Sequence, residues 1–258
     1  MLQITLLNPK GGCGKTTLAT NLASYYAGLG RKTVLYDFDA QGSSTHWLNT
    51  RGTQTNALHG IPAYRDSMRA TRSWQLRLPR DPECVIVDTP ASVSGVQLDD
   101  LIARSARLLV PLLASPIDFD AFTTFAERLD RYPRVRSGDV KVGVVANRVR
   151  TNTRFFRTLT SELAGLEERL AMKFITSLRD TQHYVQAGQR GLGIVELKTA
   201  RTAADVAQWA PLLDWLEGGA DSAPKPPHST TRQQTERLAP VQERLDLDER
   251  KPRRVSAG

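Results

Sequence analysis

Lys10-Gly11-Gly12-Cys13-Gly14-Lys15-Thr16-Thr17 stands between an apolar run, Gln3–Leu7, and a segment whose Leu18, Leu22, Tyr25 and Tyr26 recur at helical spacing. Strand, glycine-rich loop, Lys-Thr and helix in that order form a phosphate-binding loop. Glycines let the backbone curl so that its N–H groups point inward at phosphate oxygens. The N-terminus of the following helix adds partial positive charge. Lys15 is placed to reach the β- and γ-phosphates, and the Thr16 hydroxyl is placed to meet Mg2+. The alternative, a plain glycine turn before a helix, leaves the Lys-Thr pair unexplained.

Two acidic segments complete such a site. Val85-Ile86-Val87-Asp88-Thr89-Pro90 is an apolar strand ending in an acid, which puts Asp88 where a carboxylate holds a metal through water. Tyr36-Asp37-Phe38-Asp39-Ala40-Gln41-Gly42-Ser43 ends another strand with two acids on one side. One of them can orient or activate a water that attacks the γ-phosphate. A helix cap is the competing role for Asp37, as a strand-ending turn is for Asp88.

Around these motifs, short apolar runs alternate with helical patterns. Strands are predicted at Gln3–Leu7, Thr33–Tyr36, Val85–Val87, Arg107–Leu113, Val140–Ala146 and Met172–Ile175. Most are apolar on both faces, as strands of a buried parallel sheet are. Helices are predicted at Phe119–Leu129, Phe155–Leu163 and Val206–Leu216. The pattern predicts an α/β fold, a doubly wound, mostly parallel sheet flanked by helices, over residues 1–217. Residues 218–258 are poor in large apolar side chains and rich in Pro, Ser, Thr and charge, and are expected to be a disordered tail.

Composition excludes several classes. The chain has 258 residues, 40% of them hydrophobic and 24% charged, enough for one substantial core. The longest uncharged apolar stretch, Leu108–Ile117, carries two prolines and falls short of the roughly 20 residues a spanning helix needs. No basic region or cleavage site precedes the first strand, so a secretory signal is not expected. Two cysteines, Cys13 and Cys84, cannot build a disulfide framework, and both are read as inert small residues in a reduced cytosol.

Lys10 ahead of the paired glycines makes the loop a KGGxGKT variant. With DxDxQG and VDTP in order behind it, the chain resembles the ParA/MinD family of ATPases, and within it the ParA partition proteins. The resemblance covers nearly all of residues 1–217. It implies an ATP hydrolase using ATP and Mg2+, and an ATP-dependent homodimer with two nucleotides sandwiched between subunits. Lys10 then corresponds to the lysine that crosses to the partner subunit's ATP and cancels charge between two repelling phosphate groups. It implies catalytic roles for Lys10, Lys15 and Asp39, Asp39 matching the family's hydrolytic aspartate. It puts Gly11, Gly12, Cys13, Gly14, Lys15, Thr16 and Thr17 on the phosphates and Thr16, Asp39 and Asp88 around the metal. Asn147 matches the asparagine that reads adenine, with Arg148 beside it on the nucleotide. One departure is Ala40, where many relatives carry proline.

The charge map fits a polyanionic partner. Net charge is +8, and Arg128–Arg157 holds nine cations against two anions. Arg150, Arg154 and Arg157 share a helix face at spacings of four and three. Arg179, Arg190, Lys198 and Arg201 follow in the last third, where ParA relatives place DNA contacts. The resemblance thus implies non-specific DNA binding, a cytoplasmic, nucleoid-associated location, and a ParB-like or cargo-adaptor protein that stimulates hydrolysis. The competing role for the cations is a solvated basic face. The alternative within the family is a MinD-like, membrane-associated division-site regulator. It needs a basic amphipathic terminal helix, and Pro240 interrupts the one candidate, Gln233–Leu247. An operator-reading domain ahead of the loop is not expected, nor is cluster chemistry, which needs bridging cysteines.

Overall fold

The computed structural model describes residues 1–52, 58–66, 81–91, 93–150 and 153–219, all within one compact unit spanning Met1–Pro224. The side chains of Arg65, Asp66 and Arg154 and all of the expected tail beyond residue 219 lie outside the described residues.

Seven strands form one sheet: β1 (Leu2–Leu6), β2 (Thr33–Asp37), β3 (Leu58–Pro62), β4 (Cys84–Asp88), β5 (Arg107–Leu113), β6 (Lys141–Val149) and β7 (Met172–Arg179). Their spatial order is β3-β2-β4-β1-β5-β6-β7, and all six pairings are parallel. The expected doubly wound α/β sheet is therefore present, and it is wholly parallel among the described strands. β1 sits at the centre, where the chain first winds outward to β3 and later outward to β7. Ligands of such sheets sit at the carboxyl ends of the strands beside that reversal.

The helices are α1 (Lys15–Gly28), α2 (Ser43–Arg51), α3 (Gly95–Arg104), α4 (Pro116–Asp130), α5 (Pro133–Arg136), α6 (Arg154–Arg169), α7 (Gln182–Gln189), α8 (Ala203–Ala207) and α9 (Ala210–Leu216). Successive strand residues point to opposite faces, so each strand feeds two cores. Val85 and Val87 of β4 pack with Leu98 of α3, Phe122 of α4 and Leu159 of α6. Cys84 and Ile86 pack with Leu18 and Leu22 of α1 and Trp209, Leu212 and Trp215 at the end of the fold. Helix starts follow their sequence signals. Ser115 accepts a bond from Asp118 N at the head of α4, with Pro116 in the first turn. Thr153 and Thr181 cap α6 and α7 in the same way.

Several elements differ from expectation. β3 was not predicted: Leu-His-Gly-Ile-Pro is a half-buried edge strand without an apolar run, and Pro62, in register with Asp37, is tolerated as the last residue of an edge strand. The single helix expected at Val206–Leu216 is two, because Pro211 has no N–H to give the carbonyl of Ala207 and clashes with it. The last two strands run further than predicted, so Asn147 lies inside β6, next to a bulge between Ala146 and Val149, rather than just past its end. α2, α3, α5 and α7 were also not predicted.

Candidate functional site

The loop Asn8–Gly14 leaves the carboxyl end of β1 and delivers Lys15 as the first residue of α1. Its curl rests on Gly12 (φ 75°) and Gly14 (φ 98°), both in the left-handed region. Gly14 has a second reason to lack a side chain: a Cβ there would lie 2.0 Å from Asn147 Nδ2. That amide donates to Cys13 O at 2.9 Å and ties the loop to β6. Gly11 and Gly12 stay exposed at the open side of the loop.

Lys15 is buried, and its ammonium donates to Lys10 O at 3.0 Å and Asn8 O at 3.3 Å. Asn8, which sequence reading passed over, braces the loop. Its Nδ2 donates to Pro111 O at 2.6 Å and its Oδ1 accepts from Lys10 N at 2.7 Å. The asparagine two residues ahead of a turn amide is the one signal for it. Lys10 itself stands at the mouth, Nζ 3.8 Å from Asp118 Oδ1 at the head of α4. Asp118 was also not foreseen, since nothing in sequence separation links it to the loop. Burial pushes the Cys13 thiol up, consistent with an inert residue.

Register brings the two acidic motifs together. Asp37 on β2 pairs with Asp88 on β4, and Asp88 in turn pairs with Leu6 on β1, just ahead of the loop. Asp88 is fully buried. Its Oδ2 accepts from Ser44 Oγ at 2.5 Å, while Oδ1 has no hydrogen-bond partner. Desolvation pushes its carboxyl up to about 7; the Ser44 and Thr16 hydroxyls favour the charged form but do not outweigh burial. An orphaned buried carboxylate oxygen beside the Thr16 hydroxyl is a hard-oxygen donor set. It fits Mg2+, which binds through few protein ligands plus water and phosphate. No group of three or more His, Cys, Asp or Glu side chains able to hold a metal occurs among the described residues.

Asp37 and Asp39 are held differently. Asp37 is buried, which raises its carboxyl above the usual range, and Oδ2 accepts from both Thr45 N and Thr45 Oγ1 at 2.8 Å. It thus fastens the first turn of α2. Asp39 is half-buried in the loop between, with Oδ1 accepting from Gln41 N at 3.0 Å. Thr17 follows Thr16 in the first turn of α1, its carbonyl taken by Thr20 and Asn21.

Arg148 has φ 53° and turns to Asp180, 3.5 Å away, with most of its side chain in solvent. Arg148, Arg150, Thr153, Asp180, Leu113 and Ala114 line a shallow cleft of about 290 Å³ at the carboxyl ends of β5 to β7. Arg150 and Arg157 are exposed, as are Arg190, Lys198 and Arg201. Arg179 is not free in that sense. Its Nε donates to Asp205, a fully buried carboxylate that also meets His183 Nδ1 at 2.5 Å. Its charge is paired with that carboxylate, while 41% of its side chain stays exposed. No helix among the described residues is long and apolar enough to cross a membrane.

Residues 4–194 match the model of the CobQ/CobB/MinD/ParA nucleotide binding domain. The match spans well over half of the chain, and the chain belongs to this family. It is 29% identical over 205 residues to "Maintenance of carboxysome distribution protein A" of Halothiobacillus neapolitanus, covering 78% of this chain and 91% of that protein. Among solved structures it resembles a plasmid partition protein of Borrelia burgdorferi B31 bound to AMPPNP. The TM-score is 0.62 and the identity 17%, over 83% of this chain and 99% of that one, a likeness of fold. It is also similar to pNOB8 ParA bound to nonspecific DNA, with TM-score 0.51 and 25% identity over 66% of this chain and 76% of that one.

Proposed function

We propose that this member of the CobQ/CobB/MinD/ParA family is a ParA-type ATPase that positions or segregates a cargo over DNA. ATP closes two copies into a sandwich dimer. The dimer binds nucleoid DNA without reading sequence, through Arg150, Arg154, Arg157, Lys198 and Arg201. A ParB-like or cargo-adaptor protein stimulates hydrolysis, the dimer parts, and DNA is released.

One observation carries this reading: two lysines of one loop are held in opposite ways. Lys15 is folded into the bowl, on the carbonyls of Asn8 and Lys10, where β- and γ-phosphate oxygens belong. Lys10 stands at the mouth with 35% of its side chain exposed and one carboxylate 3.8 Å away. A cation so placed is available to a second triphosphate brought up face to face. Two nucleotides with several negative charges each repel strongly, and a cation from each side turns that repulsion into attraction.

Within one subunit the loop N–H groups and Lys15 hold the phosphates. Thr16 and Asp88 would hold Mg2+, directly or through water. The metal's contribution is to neutralise charge on the β- and γ-phosphate oxygens. Asp39 is assigned to the attacking water, since Asp37 is spent on α2 and Asp88 is sealed behind Ser44. Water adds to the γ-phosphorus, the bond to the β–γ bridging oxygen breaks, and ADP leaves. Asn147 and Arg148 are assigned to the base side of the site.

Similarity across 91% of a carboxysome distribution protein supports a protein assembly such as a carboxysome as cargo. Plasmids, chromosomes and chemoreceptor clusters are the other cargoes the family offers. The test is ATP turnover by purified protein, alone, with random-sequence duplex, and with a candidate adaptor protein. Turnover that is slow alone and rises with DNA and adaptor together supports the reading. Turnover indifferent to both contradicts it.

A further inference from the structure

α2 is hooked at both ends. At its start, Ser44 bonds Asp88 and Thr45 bonds Asp37, so two consecutive residues hold the two acids of the nucleotide site. At its end, Arg51 is buried against the segment Gly191–Glu196. Arg51 Nη1 donates to Gly191 O at 3.0 Å, and both Nη atoms grip the Glu196 carboxylate at 2.8 and 2.7 Å. Trp47, one turn earlier, lies under the guanidinium at 5.3 Å and donates from Nε1 to Leu192 O at 3.2 Å. α1 grips the same segment: Ser24 Oγ donates to Glu196, and Asn21 Oδ1 accepts from Ile194 N at 2.6 Å.

The strap has no slack. A Cβ on Gly191 would lie 2.3 Å from the Arg51 backbone nitrogen, and one on Gly193 would lie 2.5 Å from Ser24 Oγ. Close packing of this kind transmits displacement rather than absorbing it. A buried ion pair is a poor device for stability, because desolvating both charges offsets their attraction. It is a good device for register, because the bidentate fork fits one geometry. Arg190 immediately before the strap, and Lys198 and Arg201 just after it, are all exposed cations.

We infer that the Arg51–Glu196 clamp makes Gly191–Glu196 move with α2, so that occupancy of the nucleotide site sets how Arg190, Lys198 and Arg201 are presented to polyanionic phosphate. The inference rests on the DNA-binding reading only for what those cations meet. Arg51 and Glu196 are positioning residues. The clamp gives each subunit its own link between nucleotide and basic surface, in addition to the doubling of that surface on dimerisation.

The experiment uses the full chain, as wild type, Glu196→Gln and Trp47→Phe. Amide hydrogen exchange is followed at residues 10–17 and 190–202, with and without ATP and Mg2+. Affinity for random-sequence duplex is measured in the same two states. In wild type, ATP changes exchange at both segments. In Glu196→Gln the response at 10–17 persists. The response at 190–202 falls from about tenfold toward none, and the ATP-to-apo ratio of DNA affinity falls by a similar factor. A merely structural role would raise exchange by the same factor with and without ATP and leave the ATP-to-apo ratio of DNA affinity unchanged. Should Glu196→Gln fail to fold, Trp47→Phe carries the test, since it removes the bond to Leu192 and shrinks the ring under the guanidinium while leaving the Arg51–Glu196 pair in place, and it predicts an intermediate response. A wild-type response at 190–202 in the variants, or none in wild type, overturns the clamp. A wild-type exchange response without DNA affinity removes the DNA reading and leaves the clamp standing.

Discussion

Asp37 and Asp88 stand in register on adjacent parallel strands, and two consecutive residues of α2 hold them, Thr45 on Asp37 and Ser44 on Asp88. The pairing puts two carboxyls at one strand end, and the charge of Asp37 helps to raise Asp88. Burial does more. A carboxyl raised from 3.8 to about 7 favours the protonated fold, so its contribution is lost as pH rises through that window.

Asp88→Asn follows directly from this. The variant keeps the shape and removes the buried charge. Without nucleotide it is expected to melt higher than wild type at pH 8 and equally at pH 3.5. The gain is a few degrees, on the scale of about 2–4 °C per kcal/mol for a domain this size. With ATP and Mg2+ it is expected to lose turnover. Thermal melts at two pH values and a phosphate-release assay check both halves.

Glu196 shows the opposite sign. Burial opposes its charge, yet hydrogen bonds from Arg51, Ser24 and Gly193 outweigh it and hold the carboxyl below its ordinary 4.5. A depressed carboxyl contributes stability that is present above the ordinary value and lost as pH falls through the folded one. Glu196→Gln is therefore expected to be less stable than wild type at pH 7, with the difference shrinking below pH 4.5. Denaturant unfolding across that range measures it.

Gly14→Ala combines two penalties. It forces an L-residue to φ 98° and drives a methyl into Asn147 Nδ2. The left-handed backbone alone costs about 1–2 kcal/mol, and the clash adds to it by displacing the strut between loop and β6. Binding of a fluorescent ATP analogue is expected to weaken at least tenfold. Gly11→Ala, with open space around its Cβ, is expected to bind far better.

Salt dependence separates surface cations from interior ones. Each lost phosphate contact lowers the slope of log affinity against log salt by about 0.9. Arg150→Ala and Arg157→Ala are each expected to show that drop on random-sequence duplex. Arg179→Ala is expected to keep the slope and lower the melting temperature instead, because the buried Asp205 loses its guanidinium and is left with His183 alone.

Most of the proposed nucleotide site was legible because its parts are local. The loop, Lys15, Thr16 and the strand-ending acids are each fixed by neighbours within a few residues, and the apolar runs around them read as a buried parallel sheet. What the sequence hid depends on long-range contact. Asn8 reaches Pro111, Lys10 meets Asp118, and Arg51 meets Glu196 across 145 positions. β3 was invisible because an edge strand needs little apolar content, and the α8–α9 break because helical periodicity continues across Pro211. Arg179 looked like any surface arginine, and only the burial of Asp205 distinguishes it.

The central claim is that Lys10, held at the mouth of the loop, joins two ATP-bound subunits. Light scattering of the wild type and Lys10→Ala with ATP and Mg2+ tests it most directly. The account predicts a mass that doubles with ATP in wild type and stays at one subunit in Lys10→Ala, with ATP still bound. ATP-dependent dimers of Lys10→Ala, or a wild type that stays a single subunit when loaded with ATP, would contradict it.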